Sequence, residues 1–368
     1  MAKVFATRVE DILHTLPEIV TFDSASGLRG TKEDLFLCAL GFEPRGLTVP
    51  RALAEMGYSA RRARYFEYST NADDNEANRP ELEACLGQLS NSVESIRCEE
   101  QDFPSTLSKL LDAVEGTDKS HPPRVTFDIS VAANRLLLRT IGVLLQRNIS
   151  LRILYSEAGT YHPTEEEFKK NFQSWATDET LGLEQGVSEV LPSKEQPGHH
   201  LDPLPNCIIV FPTFKAARAR AVIAAIDPSL LAAPGKSVYW MLGEPHLPED
   251  KWRLKAMAKI NGVAQGLPQF NVKTFDYKDT LRTLEFIHGH MWEQHNLSIA
   301  QFGSKLQTLG TSLFCFLHPE VRLWYAIPRK YNAANFSDGC KATWALDFGP
   351  MQETRNLLNA VGKLKIAE

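Results

Sequence analysis

"FDISVAANRLLLRTIGVLLQRNISLRILYSEAGTY" (127–161) and "AQFGSKLQTLGTSLFCFLHPEVRLWYAIPRKY" (300–331) follow one plan. Each opens on a short apolar run and breaks at a polar turn. Each then continues with helical periodicity around an internal glycine, Gly142 or Gly310, and closes on a β-branched and aromatic run. In both, six positions separate paired tyrosines, Tyr155 from Tyr161 and Tyr325 from Tyr331. A strand that reaches the next strand through a helix is the unit of a parallel sheet.

Working outward, the same alternation fills the chain. "DLFLCALG" (34–41), "RARYFEYS", "SIRCEE", "RVTFDIS" and "SLRILYSEA" are strand-like, and helical patterns such as "STLSKLLDAVEG" lie between them. Then "LPSKEQPGHHLDPLP" (191–205) carries four prolines in fifteen residues and no periodicity, the signature of a connection. The alternation restarts at "NCIIVFPT" and runs through "KSVYWMLGE", "FNVKTFDY", "LSIAQFG" and "VRLWYAIP", with "KATWALDFG" (341–349) as one extra strand before a last helix. Continuous apolar strands joined through helices imply sheets covered on both faces. The expected fold class is α/β: two tandem Rossmann-like domains with mainly parallel sheets, over 1–195 and 206–368. "GFEPRGLTVPRAL" then matches "FPTFKAARARAVI", each a strand end with a basic residue opening a helix. An internal duplication accounts for the match, although two Rossmann-like units in tandem give the same order.

Composition narrows the class. At 368 residues the chain suits two domains, and 43% hydrophobic with 23% charged residues places it among globular proteins. A net charge of −5 argues against an extended nucleic-acid surface and leaves room only for a local anion site. The six cysteines show no paired spacing, the start lacks the apolar core of a signal peptide, and no apolar run approaches a membrane span. A cytoplasmic protein without a membrane partner is expected.

Ligands of open parallel sheets bind beyond the carboxyl ends of the strands. That rule selects Glu43 and Arg45, Asp73 and Asp74, Asp128, Ser130, Asn134 and Arg135, and Glu157 with Tyr161 in the first half. In the second half it selects Lys215 and Arg218, Glu244 and His246, Asp276 and Lys278, Ser304 and Lys305, and Arg329, Lys330 and Tyr331. Gly303 permits a tight turn, Ser304 can cap the following helix, and free amides there with Lys305 favour a phosphate. Arg329 and Lys330 follow the neighbouring strand, so three cations are expected at one crevice. Asp128 can accept from a ribose hydroxyl or pair with Arg45. Of the aromatics, Trp240, Trp252, Trp292, Trp324 and Trp344 read as core, and Tyr161 and Tyr331 as loop residues free to stack on a base. Phosphate-loop, dinucleotide, nucleophile-elbow and HExxH motifs are missing from the sequence. His288 and His290 point to different faces of one helix, so no metal site and no cofactor are expected.

The stretch "FGSKLQTLGTSLF" resembles the strand, Gly-[Ser/Thr]-Lys turn and helix of the CRISPR-associated Rossmann-fold (CARF) sensors and their SAVED relatives. That resemblance implies two fused CARF-like halves and a cyclic nucleotide or oligonucleotide in a cleft. Three readings stay open. One is a nucleotide-binding sensor or regulatory subunit, in prokaryotic antiviral defence, with phosphates on Ser304, Lys305, Arg329, Lys330, Tyr331, Lys215 and Arg218. Another is an enzyme acting on a nucleotide or phosphorylated small molecule through Asp128, Glu43 and Arg45. The third is a non-catalytic subunit of a multiprotein complex or homo-oligomer.

Overall fold

A computed structural model describes residues 10–24, 27–115, 121–172, 184–232, 235 and 237–363. The strands of the first half are β1 (Val20–Thr21), β2 (Lys32–Ala39), β3 (Ser59–Glu67), β4 (Val93–Arg97), β5 (Arg124–Asp128) and β6 (Ser150–Tyr161). Those that follow are β7 (Glu184–Pro192), β8 (Asn206–Phe211), β9 (Val238–Glu244), β10 (Gln269–Lys273), β11 (Asn296–Gln301), β12 (Arg322–Tyr331) and β13 (Ser337–Pro350). Helices α1 (Thr48–Glu55), α2 (Arg79–Leu89), α3 (Phe103–Glu115) and α4 (Asn134–Leu144) connect β2 through β6. In the same way α5 (Ala216–Ile226), α6 (Trp252–Asn261), α7 (Tyr277–Met291) and α8 (Lys305–Leu317) connect β8 through β12, and α9 (Met351–Lys363) follows β13.

The fold is α/β with two mostly parallel sheets, ordered β1-β13-β6-β5-β2-β3-β4 and β10-β9-β8-β11-β12-β7. Their parallel cores, β4-β3-β2-β5-β6 and β10-β9-β8-β11-β12, have one topology. Burial explains the sequence character of each position. Leu35, Phe36, Leu37 and Cys38 in β2 and Cys207 through Phe211 in β8 are fully enclosed, which is why these strands read as continuous apolar runs. At the edges, β4 and β10 are largely exposed and carry Glu94, Arg97 and Lys273, which discourages further pairing.

The antiparallel strands break the linear division. β13 pairs with β6 from Ser337↔Tyr161 to Pro350↔Ser150, so it completes the first sheet. β7 pairs with β12 from Trp324↔Pro192 to Tyr331↔Glu184, and so completes the second. Residues 14–161 with 336–361 form one compact unit, and 162–335 belong to the other. The units therefore do not coincide with 1–195 and 206–368. The extra strand at 341–349 does exist, but it serves the sheet of the other half of the chain.

The internal glycines of α4 and α8 are not equivalent. A Cβ at Gly310 would lie 2.3 Å from the Tyr277 carbonyl oxygen and 2.8 Å from Thr280 Cβ, so α7 and α8 touch through backbone there. Gly142 has nothing within 4 Å of that position. We expect Gly310→Ala to cost about 1–3 kcal/mol through overpacking. Gly142→Ala should instead be neutral or stabilising by about 0.5–1 kcal/mol. Thermal melts of the two variants check this, and equal shifts would contradict the packing described.

Candidate functional site

In each parallel core the strand order reverses between the first and fourth strands, β2 and β5 or β8 and β11, and a crevice at such a point is where ligands enter open sheets. Beyond β2 the chain turns through Gly41 to Arg45. Arg45 is 3% exposed and forks onto Glu43, with Nε 2.9 Å from Oε2 and Nη2 3.0 Å from Oε1. Its Nη1 donates to the Ser156 carbonyl at 2.6 Å, and its guanidinium lies 6.0 Å from the Tyr155 ring centre. The Ser337 hydroxyl, supplied by β13, donates to the same Glu43 carboxylate.

Beyond β5, the Asp128 carboxylate accepts from the Ser130 amide at 2.9 Å and from the Ser130 hydroxyl, which in turn accepts from the Ser156 amide at 2.7 Å. Burial pushes the Asp128 carboxyl up to about 7, against the opposing pull of the Ser130 bonds and the Arg45 charge. Arg45 thus has its bidentate partner in Glu43 rather than in Asp128. The space between the two turns is occupied. A Cβ at Gly41 or Gly46 would come within 3.0 Å of the Val131 side chain, which sits where a guest of the first sheet would enter.

At the second crevice, Lys215 is the N-cap of α5 and Lys305 is the first residue of α8. These helices leave β8 and β11, which are hydrogen-bonded neighbours, so the two half-buried lysines start from the two sides of the crevice. Ser304 forms a full capping box with Gln307. The Gln307 amide donates to Ser304 Oγ at 3.2 Å, and the Ser304 amide donates to Gln307 Oε1 at 2.9 Å. The Gly303 amide donates to Gln301 Oε1 at 2.7 Å. The amides of Gly303, Ser304 and Gln307 are therefore engaged by the protein's own side chains, and Lys215 and Lys305 place cationic side chains at the two helix starts, that of Lys215 within electrostatic reach of Glu184.

Arg218 follows Lys215 in the first turn of α5 and is paired. Arg218 donates to the Ala326 carbonyl and to Glu184 Oε2, both at 2.9 Å, and lies 4.3 Å from the Phe302 ring centre. Burial raises the Glu184 pKa, with Arg218 and Lys215 opposing. β12 last pairs with β11 at Trp324 and continues with β7 alone to Tyr331. Exposed Arg329 and Lys330 thus sit about 16 Å or more along a two-stranded ribbon. Tyr161 and Tyr331 end strands rather than occupying loops, and the Tyr161 hydroxyl is bonded to that of Tyr155 at 2.7 Å.

The remaining candidates mostly hold the scaffold. Asp276 caps α7 through the amides of Lys278 and Asp279. Glu157 accepts from Trp344 Nε1 at 3.1 Å, and His246 stacks on Phe275. Asp73 and Asp74 open a short helix at Ala72–Glu76. Asn134 opens α4, with Arg135 next to it, and Glu244 ends β9. Trp292, at 47% exposure, is not a core residue. A surface hollow of about 450 Å³ between Phe22, Arg29, Glu55 and Thr343 contains none of the sequence-chosen residues.

The two rims share more than topology. With Tyr155 set on Tyr325, Ser156 falls on Ala326, and these are the carbonyls that receive Arg45 and Arg218. Asp128 and Gln301 likewise each accept the amide two residues ahead. The carboxylates differ in origin, since Glu43 is local and Glu184 arrives on β7. No protein-family model matches the chain, and no curated protein matches it.

Asp128 sets a pH dependence whose sign follows from its raised pKa. Between its ordinary 3.8 and about 7 the folded chain holds a proton that the unfolded chain has released, so stability falls as pH rises through that window. At about 1.4 kcal/mol per pH unit the ceiling is a few kcal/mol. Asp128→Asn keeps an acceptor for Ser130 and removes the charge. Its unfolding free energy should be flatter across that range and higher than wild type at neutral pH, as measured by urea unfolding at several pH values.

Proposed function

We propose that the chain is a ligand-binding sensor or regulatory subunit that takes a phosphorylated small molecule of the nucleotide class at the crevice of the second sheet. The observation that carries this reading is the placement of Lys215 and Lys305 at the starts of α5 and α8, one on each side of the point where the strand order reverses. Two ammonium groups at neighbouring helix N-termini form a local positive site on an acidic chain. The matched architecture of the two halves supports the same reading, because it agrees with the sensors that the Gly303-Ser304-Lys305 turn resembles. The first rim favours binding over catalysis. Glu43, Arg45, Asp128 and Ser130 are all less than a tenth exposed and bonded to one another or to Ser156 and Ser337, which presents no nucleophile to a substrate.

Differential scanning fluorimetry against inorganic phosphate, nucleoside mono- to triphosphates, cyclic dinucleotides and cyclic oligonucleotides tests the proposal. At least one phosphorylated compound should raise the melting temperature without being consumed. Lys215→Ala and Lys305→Ala should each weaken its binding about tenfold or more, as expected for loss of a charge-assisted bond worth about 1.5–3 kcal/mol. A flat panel refutes the reading, and turnover of the bound compound replaces it with an enzyme.

A further inference from the structure

A second cluster lies on other residues. His288 occupies the last turn of α7, His318 is the C-cap of α8, and Glu320 stands two residues further, before β12. His288 Nε2 is 2.6 Å and His318 Nδ1 3.0 Å from one and the same oxygen, Glu320 Oε1. One ligand atom from each of the three residues falls within 4.8 Å of the others. The histidines are 3% and 5% exposed, and their ring centres are 3.8 Å apart. His290, on a different face of the same helix, bonds instead to the Phe286 carbonyl.

The far side of His318 is also fixed. Its Nε2 lies 2.6 Å from Oε1 of Glu285, which is 1% exposed. His318 therefore has a carboxylate at each ring nitrogen, and a neutral imidazole carries only one N–H to donate. With that proton facing Glu285, the Nδ1 lone pair faces Glu320, and a metal ion can take the place of the second proton that an imidazolium would put there. A carboxylate that orients a histidine from behind is the usual support of a metal-ligating imidazole. Two helices end at the cluster, and the negative ends of their dipoles favour a cation.

We propose that His288, His318 and Glu320 form a site for a divalent transition ion, Zn²⁺ by the chemistry of two imidazoles and a carboxylate, with Glu285 positioning His318. Metal bonds of about 2.0–2.2 Å hold ligand atoms about 3.3 Å apart, so the present contacts need to open by only about half an ångström. Helices α7 and α8 start from the carboxyl edge of the sheet, so the cluster lies at its amino edge and is separate from the proposed ligand crevice. The metal's role here is to staple the end of α7 to the turn between α8 and β12.

The test uses the full chain, stripped with EDTA and titrated with Zn²⁺ and Co²⁺. Wild type should take up about one equivalent, gain thermal stability, and show visible ligand-field bands with Co²⁺. His288→Gln and Glu320→Gln should abolish those bands, and Glu285→Gln should weaken affinity about 10- to 100-fold. His290→Gln should change nothing. A stripped chain that is folded by circular dichroism yet takes up no Co²⁺ overturns the proposal, as does binding that survives both His288→Gln and Glu320→Gln. Should those variants fail to fold, the wild-type titration and Glu285→Gln still decide.

Discussion

The antiparallel ladders that close the two sheets are the interaction on which the rest depends. β6 and β12 run well past their parallel neighbours, and such extensions would leave a row of amides and carbonyls without partners. β13 satisfies the first and β7 the second. β13 arrives from the far end of the chain, across the whole second sheet, whereas β7 belongs to the 162–335 stretch that builds the rest of its own sheet. The incoming strands also bring chemistry, since Ser337 and Trp344 reach the first rim and Glu184 reaches the second.

Buried charge at both rims is the next consequence. Arg45 and Arg218 each lie over an aromatic ring and donate both to a carboxylate and to a strand carbonyl. Desolvating such pairs offsets most of their attraction, so their value lies in fixing where the helix after the first strand meets the last parallel strand. That same locking, with half-buried Val131 close against Gly41 and Gly46, narrows the first crevice and leaves the second as the candidate for a guest.

The layered α/β plan was readable because enclosed strands such as "LFLCAL" and "CIIVF" are apolar without interruption, and the helices between them keep their period. The equivalence of the halves was readable for the same reason. The partners of β7 and β13 were not, because strand pairing across more than a hundred residues leaves no local mark. Ser304 as a helix cap was legible from its place between the Gly303 turn and a helical run, whereas the course of Arg329 and Lys330 along a ribbon depended on that long-range pairing. His288, His318, Glu285 and Glu320 meet only where two helices end side by side, and their separation in sequence, from 2 to 35 positions, follows no ligand spacing.

The late return of β13 bears on how the molecule is made. During synthesis on the ribosome, the parallel core of the first sheet emerges long before β13, so the long edge of β6 waits without its cover while nearly two hundred further residues are translated. An open β edge held for that time invites pairing with a neighbouring nascent chain. Shielding by chaperones, or delayed consolidation of the first unit until the second has formed, is therefore a requirement that this topology imposes on the cell.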